Sequence, residues 1–299
     1  MKSFVRNAIF SLLLFGLVTF HALPSRAQEL TTEEIVQLKT LLAHIRVVEG
    51  EVNNLQGPHI LYEGVNIHLR SGSGRTDDGG RLTGLGNFVV GYNEAPVIGT
   101  LQPGDRGGSH NIMGGRGHRI RSFGGFVVGS GNTLDGEMAS VSGGQGNTAD
   151  AWAASVSGGQ GNSASDHAAS VIGGFQNSAT GWAASVSGGE DNVASGTNSS
   201  VSAGLLNEAS GEGSSVSGGR NNRASAIRAS VSGGRGNIAD GGASSISGGM
   251  DNVTYGSHAS VSGGDGNIAT GRSATISGGL NRTAPGEHNW AAGNLFEAF

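Results

Sequence analysis

The sequence predicts an all-β fold, a parallel β-solenoid of ~15-residue coils preceded by a short N-terminal helix. Three observations carry that prediction. The eight residues Ser140 to Asn147, SVSGGQGN, return unchanged as Ser155 to Asn162. Val141, Val156, Val171, Val186, Val201, Val216, Val231, Ile246, Val261 and Ile276 follow one another at a constant step of fifteen residues. Composition agrees, with 56 glycines among 299 residues, 5% aromatic residues and 14% charged residues. Such a chain has too little charge for a charged disordered tail and lacks the Gly-X-Y period of collagen. A helical or ordinary globular fold has no use for so constant a step. A solenoid requires one, because each coil stacks on a copy of itself.

In chain order, residues 1–27 read as a signal peptide. Lys2 and Arg6 precede the apolar run AIFSLLLFGLVTFHAL, and Ser25 and Ala27 place small residues where a signal peptidase needs them. The run from 8 to 23 is shorter than the ~20 residues of a membrane span and contains His21. Cleavage would remove Lys2, Arg6 and Arg26 and no acid, making the formal charge of -5 more negative. Residues 28–56 hold the one convincing helical pattern. Thr31 and Glu34 form a capping box, in which hydroxyl and carboxylate each satisfy an orphan amide. Leu38, Leu41, Ile45, Val48, Val52 and Leu55 then keep the alternating three-and-four spacing of a coiled coil, with Gly50 inside the run. The segment reads equally as a short coiled coil or as a helix capping the β domain.

Residues 57–138 read as irregular coils with an insertion around Glu94 to Gly108. The fifteen-residue step back from Val141 falls on Phe126 in GFVVGSGN, and Ile112 in NIMGGRGH lies fourteen residues before it. Residues 139–285 are the regular part. The strand pleat turns Val141 to the core and Ser140 and Ser142 to the other face, while Gly143 and Gly144 permit a tight turn. Six residues beyond the first nine β-branched positions stand Asn147, Asn162, Asn177, Asn192, Asn207, Asn222, Asn237, Asn252 and Asn267. Asparagine tolerates left-handed backbone geometry, and stacked copies can form an amide ladder. Ten such coils at ~4.8 Å make a rod of about 50 Å. In residues 286–299, Trp290, Leu295, Phe296 and Phe299 are expected to close its end. One valine and two or three alanines per coil offer little apolar surface against fifteen ordered residues. Packing against further copies of the chain is therefore expected.

Over about residues 85 to 285 the ASVSGG repeat with its following asparagine and alanine resembles the head repeats of trimeric autotransporter adhesins, the YadA-like class. In that family, coils of fourteen to fifteen residues build a left-handed parallel β-roll, and three chains pack into a rod. The resemblance implies a homotrimer at the outer surface of a Gram-negative bacterium, with the serines at the interface between chains. Two departures accompany it. Gly143 and its equivalents replace the second aliphatic residue of the usual head coil, although FVVG at 126–129 keeps it. The family's stalk and membrane anchor have no counterpart after the repeats, so no integral membrane anchor is expected.

Little in the chain suggests reaction chemistry. It has no cysteine, which removes disulfides, thiol catalysis and cysteine metal sites. Its negative charge argues against nucleic acid as a partner. Glu190, Asp191, Asp251 and Asp265 fall on turns of different coils without a partnering histidine or tyrosine, unlike the acid pair of a carbohydrate-cleaving β-helix. GGQGN and GGDGN resemble a calcium-binding nonapeptide but have the wrong period and an asparagine where a carboxylate is needed. His44, His110, His118, His167 and His258 lack ligand spacing and read as solvated. No catalytic residue, metal or cofactor is expected.

Two variable slots stand out. Trp152, His167 and Trp182 share one position in three successive coils. They form either a strip that docks a sugar or apolar surface, or rings packed locally over Ala153 and Ala183. Arg220 and Arg235 share another slot, with Arg223 and Arg228 nearby, and Arg116, His118, Arg119 and Arg121 make a second basic cluster. These meet an acidic polysaccharide or form a solvated basic face. The ladder of Ser140 and Ser142, broken at Ile172, offers ice binding as a rival, although serine lacks the threonine methyl that helps to order water. The expectation is a secreted, non-enzymatic rod, structural or adhesive, presenting its surfaces to glycans, extracellular matrix or other cells.

Overall fold

The computed structural model describes residues 30–95, 101–102, 104–293 and 295–297. The leader 1–27 and Phe299 lie outside the described residues. The chain divides into two compact units, one ending at His68 and the other beginning at Leu69.

In the first unit the capping box is formed, and it starts helix α1, Thr32–Ala43. The Thr31 hydroxyl accepts from the Glu34 amide, and the Glu34 carboxylate accepts from the Thr31 amide. The helix then stops short of the predicted coiled-coil run. Ile45–Val48 (β1) pairs antiparallel with His59–Tyr62 (β2), and Arg46 meets Glu63 across the pair at 3.0 Å. Of the six residues in the three-and-four rhythm, only Leu38 and Leu41 are helical. The physical reason is local. Ile45, Val47 and Val48 are β-branched, and Asn53 and Asn54 take φ of 52° and 63° between the bridged Val52 and Leu55. Two consecutive left-handed residues make the turn that joins antiparallel strands.

The second unit is a parallel β-solenoid of about twelve coils, each giving one short strand to each of two sheets. The first sheet begins with Phe88–Val90 (β3), and the next strand, Ile112–Arg116 (β4), pairs with it. Arg119–Ile120 (β5) opens the second sheet. Phe126–Ser130 (β6) and Thr133–Leu134 (β7) complete the next coil, and Ser140–Val141 (β8) and Thr148–Ala149 (β9) set the pattern for all later ones. In-register pairing joins Val141 to Val156 and so on to Ile276, and Ala149 to Ala164 and so on to Ala284. The β-branched column is 0–1% exposed and the second column, including Thr254, is equally buried. A third column runs through Ala139, Ala154, Ala169 and Ala184, with Ser199, Ser214 and Ser244 among its later members. The predicted pleat holds, with the Ser140 column half-buried and the Ser142 column exposed.

Two expectations are corrected here. Val127, not Phe126, stands beneath Val141, because Phe126 pairs with Ser140. The early coils step by fourteen residues on this side, and FVVG places its first valine inside while Phe126 stays 38% exposed. The repeat asparagines do not adopt left-handed geometry. Three other positions per coil do: the second glycine, as at Gly144, the residue before the asparagine, as at Gly146, and the residue at the far corner, as at Ala153.

The stack also runs further than the regular repeat. Trp290–Ala292 adds one more parallel strand beside Thr275–Gly278, and Leu295–Glu297 folds back antiparallel on it. That reversal ends the parallel register. Trp290 donates its indole N–H to Ser277 at 2.9 Å.

Candidate functional site

Each regular coil turns twice between its strands, and the two turns are the two corners of the rod. One corner carries the slot of Gln145, whose residues bridge coil to coil from Ser130 to Leu280. The other carries Trp152 and its equivalents at the opposite end of the second-sheet strand.

The asparagines hold the first corner. Asn162 accepts the Asn177 amide N–H on Oδ1 at 2.9 Å, while its Nδ2 donates to Gly158 at 2.9 Å and to Gly174 at 3.0 Å. The ladder expected from sequence therefore exists; its rungs run mostly from side chain to backbone, joined by direct amide-to-amide bonds from Asn237 to Asn222 at 3.2 Å and from Asn252 to Asn237 at 3.1 Å. Every polar atom of a buried amide is used, and each asparagine also closes a turn in the next coil. Such a group is structural, since a ligand would find no free donor or acceptor.

The ladder extends beyond the nine predicted residues. Asn132 precedes Asn147, and the Asn147 N–H donates to its Oδ1 at 2.8 Å. Below it stands His118, fully buried rather than solvated. Its Nδ1 accepts from the Asn132 amide at 3.3 Å, its Nε2 lies 2.9 Å from the Gly114 carbonyl, and its own amide donates to Asn93. This pattern needs a neutral ring protonated on Nε2. Burial pushes its pKa down, against backbone hydrogen bonds that raise it. The signal was present in sequence, since GRGH ending at His118 matches GSGN ending at Asn132 at a step of fourteen.

His110 is also engaged. Its Nε2 accepts from the Ser71 amide at 3.1 Å and its Nδ1 faces the Thr76 carbonyl at 2.9 Å. Beside it, the buried Asp78 carboxylate accepts from the Ser71, Ser73 and Thr83 hydroxyls and the Thr83 amide. The hydroxyls of Ser109 and Ser71 lead the interactions that hold its pKa far below the usual carboxylate range. All of these bonds are internal to the segment and organise its loops. Sequence reading missed Asp78, because DDGG resembles any polar turn.

The basic cluster Arg116, His118, Arg119 and Arg121 is not a free basic patch. Arg121 pairs with Asp105 and also lies 3.5 Å from Asp135, while Arg119 lies 3.5 Å from Asp135. The Gln102 amide and Arg121 hold the Asp105 carboxyl below its usual range. Arg220 and Arg235 do share a slot in adjacent coils, and Arg235 reaches Met250 Sδ at 2.8 Å. Among the described residues, neither they nor Arg223 and Arg228 take part in the ion pairs found within 4.0 Å.

At the opposite corner Trp152 and Trp182 are 49% and 53% exposed, and His167 between them is exposed as well. The Trp152 and His167 ring centroids lie 6.4 Å apart with planes tilted by 33°. The backbone beneath is stitched coil to coil, with the Ala168 N–H donating to the Trp152 carbonyl and the Ala183 N–H to the His167 carbonyl, each at 2.9 Å. The strip and the arginine pair thus occupy different corners and different coils, and the fold does not bring them together. Glu190 and Asp191 share one turn, while Asp251 and Asp265 lie on turns of other coils. Among the described residues no three His, Asp or Glu side chains gather to hold a metal ion, and no helix is long and apolar enough to cross a membrane.

No family model matches the chain, and no curated protein matches it.

Proposed function

We propose that the protein is a secreted, non-enzymatic rod of the Gram-negative outer surface, with a structural or adhesive role, acting as a homotrimer. One observation carries this reading. From Ser140 to Gly278, the outward positions of the first-sheet strands and the glycine that follows them hold no charged residue in any coil. They are serine or glycine throughout, apart from Ile172, Ala203 and Thr275. The second sheet and the corners, in contrast, carry Glu208, Arg223, Arg220, Arg235 and Asp265.

A long face without charged residues shares that depletion with the core of an interface, and its small residues let neighbouring backbones approach closely. Packing three such faces together would add buried area that the slender valine and alanine core lacks. The corners would then stay outward, and they are where side chains change most from coil to coil. The resemblance of the repeats to YadA-like heads supports the same arrangement.

Sedimentation of the purified secreted chain across a dilution series, with a screen against glycans and extracellular-matrix proteins, tests the proposal. A trimer that binds cells or matrix is expected. A folded monomer that binds nothing and resides in the periplasm would overturn it. The exposed Ser142 column also fits ice binding, and thermal hysteresis from a monomer would favour that alternative.

A further inference from the structure

We infer that Trp152, His167 and Trp182 form a linear platform for an uncharged polysaccharide lying along the rod axis. The platform belongs to the adhesive role proposed for the rod and rests on it.

The three rings occupy one column, and successive coils repeat at ~4.8 Å, so the two tryptophans stand roughly 10 Å apart, about two sugars of an extended chain. Each tryptophan is about half exposed, so a substantial part of each ring meets solvent. That geometry suits stacking of a pyranose ring, whose C–H face is apolar while its rim is polar.

The floor of the strip is small in three successive coils, which leaves room for a ligand. Ala153, Ala168 and Ala183 follow the three aromatic residues, each in left-handed geometry with φ of 54°, 55° and 51°. In other coils the same slot holds Met138, Asn198, Arg228, His258 and His288, and also the small Gly213, Ala243 and Ser273. Alanine is a poor choice for that backbone, which glycine or asparagine adopts more readily. Its merit here is a low floor that leaves the rings standing proud.

His167 is oriented for contact. Its amide donates to Asp166 Oδ1 at 2.7 Å, and its Nδ1 lies 3.3 Å from the same oxygen. Nε2 is left to meet a sugar hydroxyl, with Asp150, Ser165 and Thr180 along the same edge as further hydrogen-bonding groups. Charge decides the ligand class. Glu137 precedes Trp152 in the column, and Asp150 and Asp166 flank it, so a sulfated or uronic acid chain would be repelled.

The test uses the purified full-length secreted protein and its own tryptophan fluorescence, with cellohexaose and chitohexaose as probes and heparin as the anionic control. Trp152→Thr and Trp182→Thr are suitable variants, because Thr197 already occupies this slot in the next coil of the same fold. Saturable binding of a neutral hexasaccharide is expected, little affected by salt and weaker by about tenfold in each variant. Trp290→Phe should bind as the parent does. Absence of binding to both neutral probes, equal affinity in parent and Thr variants, or tryptophan-dependent capture of heparin or a matrix protein instead would each overturn the inference. A trimer that adheres to cells yet ignores both neutral probes would sink the platform alone. A monomer without any binding would sink the surface-rod proposal with it.

Discussion

The coils from Ser140 onward and the coils before them solve one problem in two ways. In the regular part a buried polar group is met by a copy of its own coil. Asn192 accepts from the Asn207 amide at 3.0 Å, donates to Gly188 and Gly204 at 2.9 Å, and repeats what Asn177 does one coil earlier. In the first coils the step changes and an insertion intervenes, so few buried groups keep a copy in register, as Asn111 does on Asn87. Others are met by unlike partners: Asp78 by hydroxyls, Asp105 by Arg121, His118 by Asn93, Gly114 and Asn132. Repetition replaces designed complementarity with self-complementarity. It needs small, uncharged residues, because a charge stacked on its own copy would repel itself.

The sharpest way to break that comparison is to add one carbon atom in each region. Gly189 has φ of 90°, and a Cβ there would collide with the Gly204 carbonyl of the next coil and with Asn192 Nδ2. Gly91 has a similar φ of 98°, but its nearest neighbour would be the Gly115 carbonyl at an ordinary 3.6 Å. Gly189→Ala should therefore cost at least about 3 kcal/mol, from backbone strain plus the clash. Gly91→Ala should cost about 1–2 kcal/mol, from strain alone. Urea denaturation of the two variants gives the difference, and equal losses would show that register tightness is not what separates the regions.

A smaller effect is expected from pH. His118 has a folded pKa below its unfolded value, so below about pH 6.5 the unfolded chain binds more protons than the folded one. Stability from this group is full above that pH and falls as acid is added. Denaturation at pH 7.5 and 5.5 should show the loss, and the window lies above the range where aspartates titrate. His118→Asn restores the ladder residue of the later coils and should shrink the pH difference. An unchanged difference would mean that the sensitivity lies elsewhere.

The smallest effects sharpen the comparison inside the regular coils, where a copy sometimes fails. Ser199 and Ser214 replace alanine in the third core column, and their buried hydroxyls have no partner. Ser199→Ala and Ser214→Ala should each stabilise the fold by about 1 kcal/mol. Ser244 lies in the same column but accepts from the Thr254 hydroxyl at 2.7 Å across the core. Ser244→Ala should destabilise by about 1–2 kcal/mol, and adding Thr254→Ala should recover most of that loss. Thermal unfolding of the set provides the measurement. A stabilising Ser244→Ala would show that the pair contributes nothing.

Much of this fold was legible because periodicity is a property of sequence. The valine column, the inward and outward pleat and the position of the asparagines needed only counting. The first unit was harder to read. Leu38, Leu41, Ile45 and Val48 satisfy a helical spacing, but pairing with His59–Tyr62 overrides it, and that pairing is not local. Of the site, the shared slot of Trp152, His167 and Trp182 followed from the period, whereas their half exposure and the Asp166 contact did not. His167 and His258 are exposed as expected, but His110 and His118 misled because the sequence shows spacing and not burial.

By itself the sequence determined the architecture of the coils, since a fifteen-residue period with one β-branched residue and small neighbours admits few other stackings. The tertiary structure decided which polar groups are committed and which are free. It placed Val127 rather than Phe126 beneath Val141, buried His118 in the ladder, neutralised Arg119 and Arg121, and left the tryptophan corner open. The reason is physical. Period fixes a residue's slot around the coil, but hydrogen bonding and charge pairing depend on what occupies the neighbouring slot, and only the stacked coils bring those neighbours together.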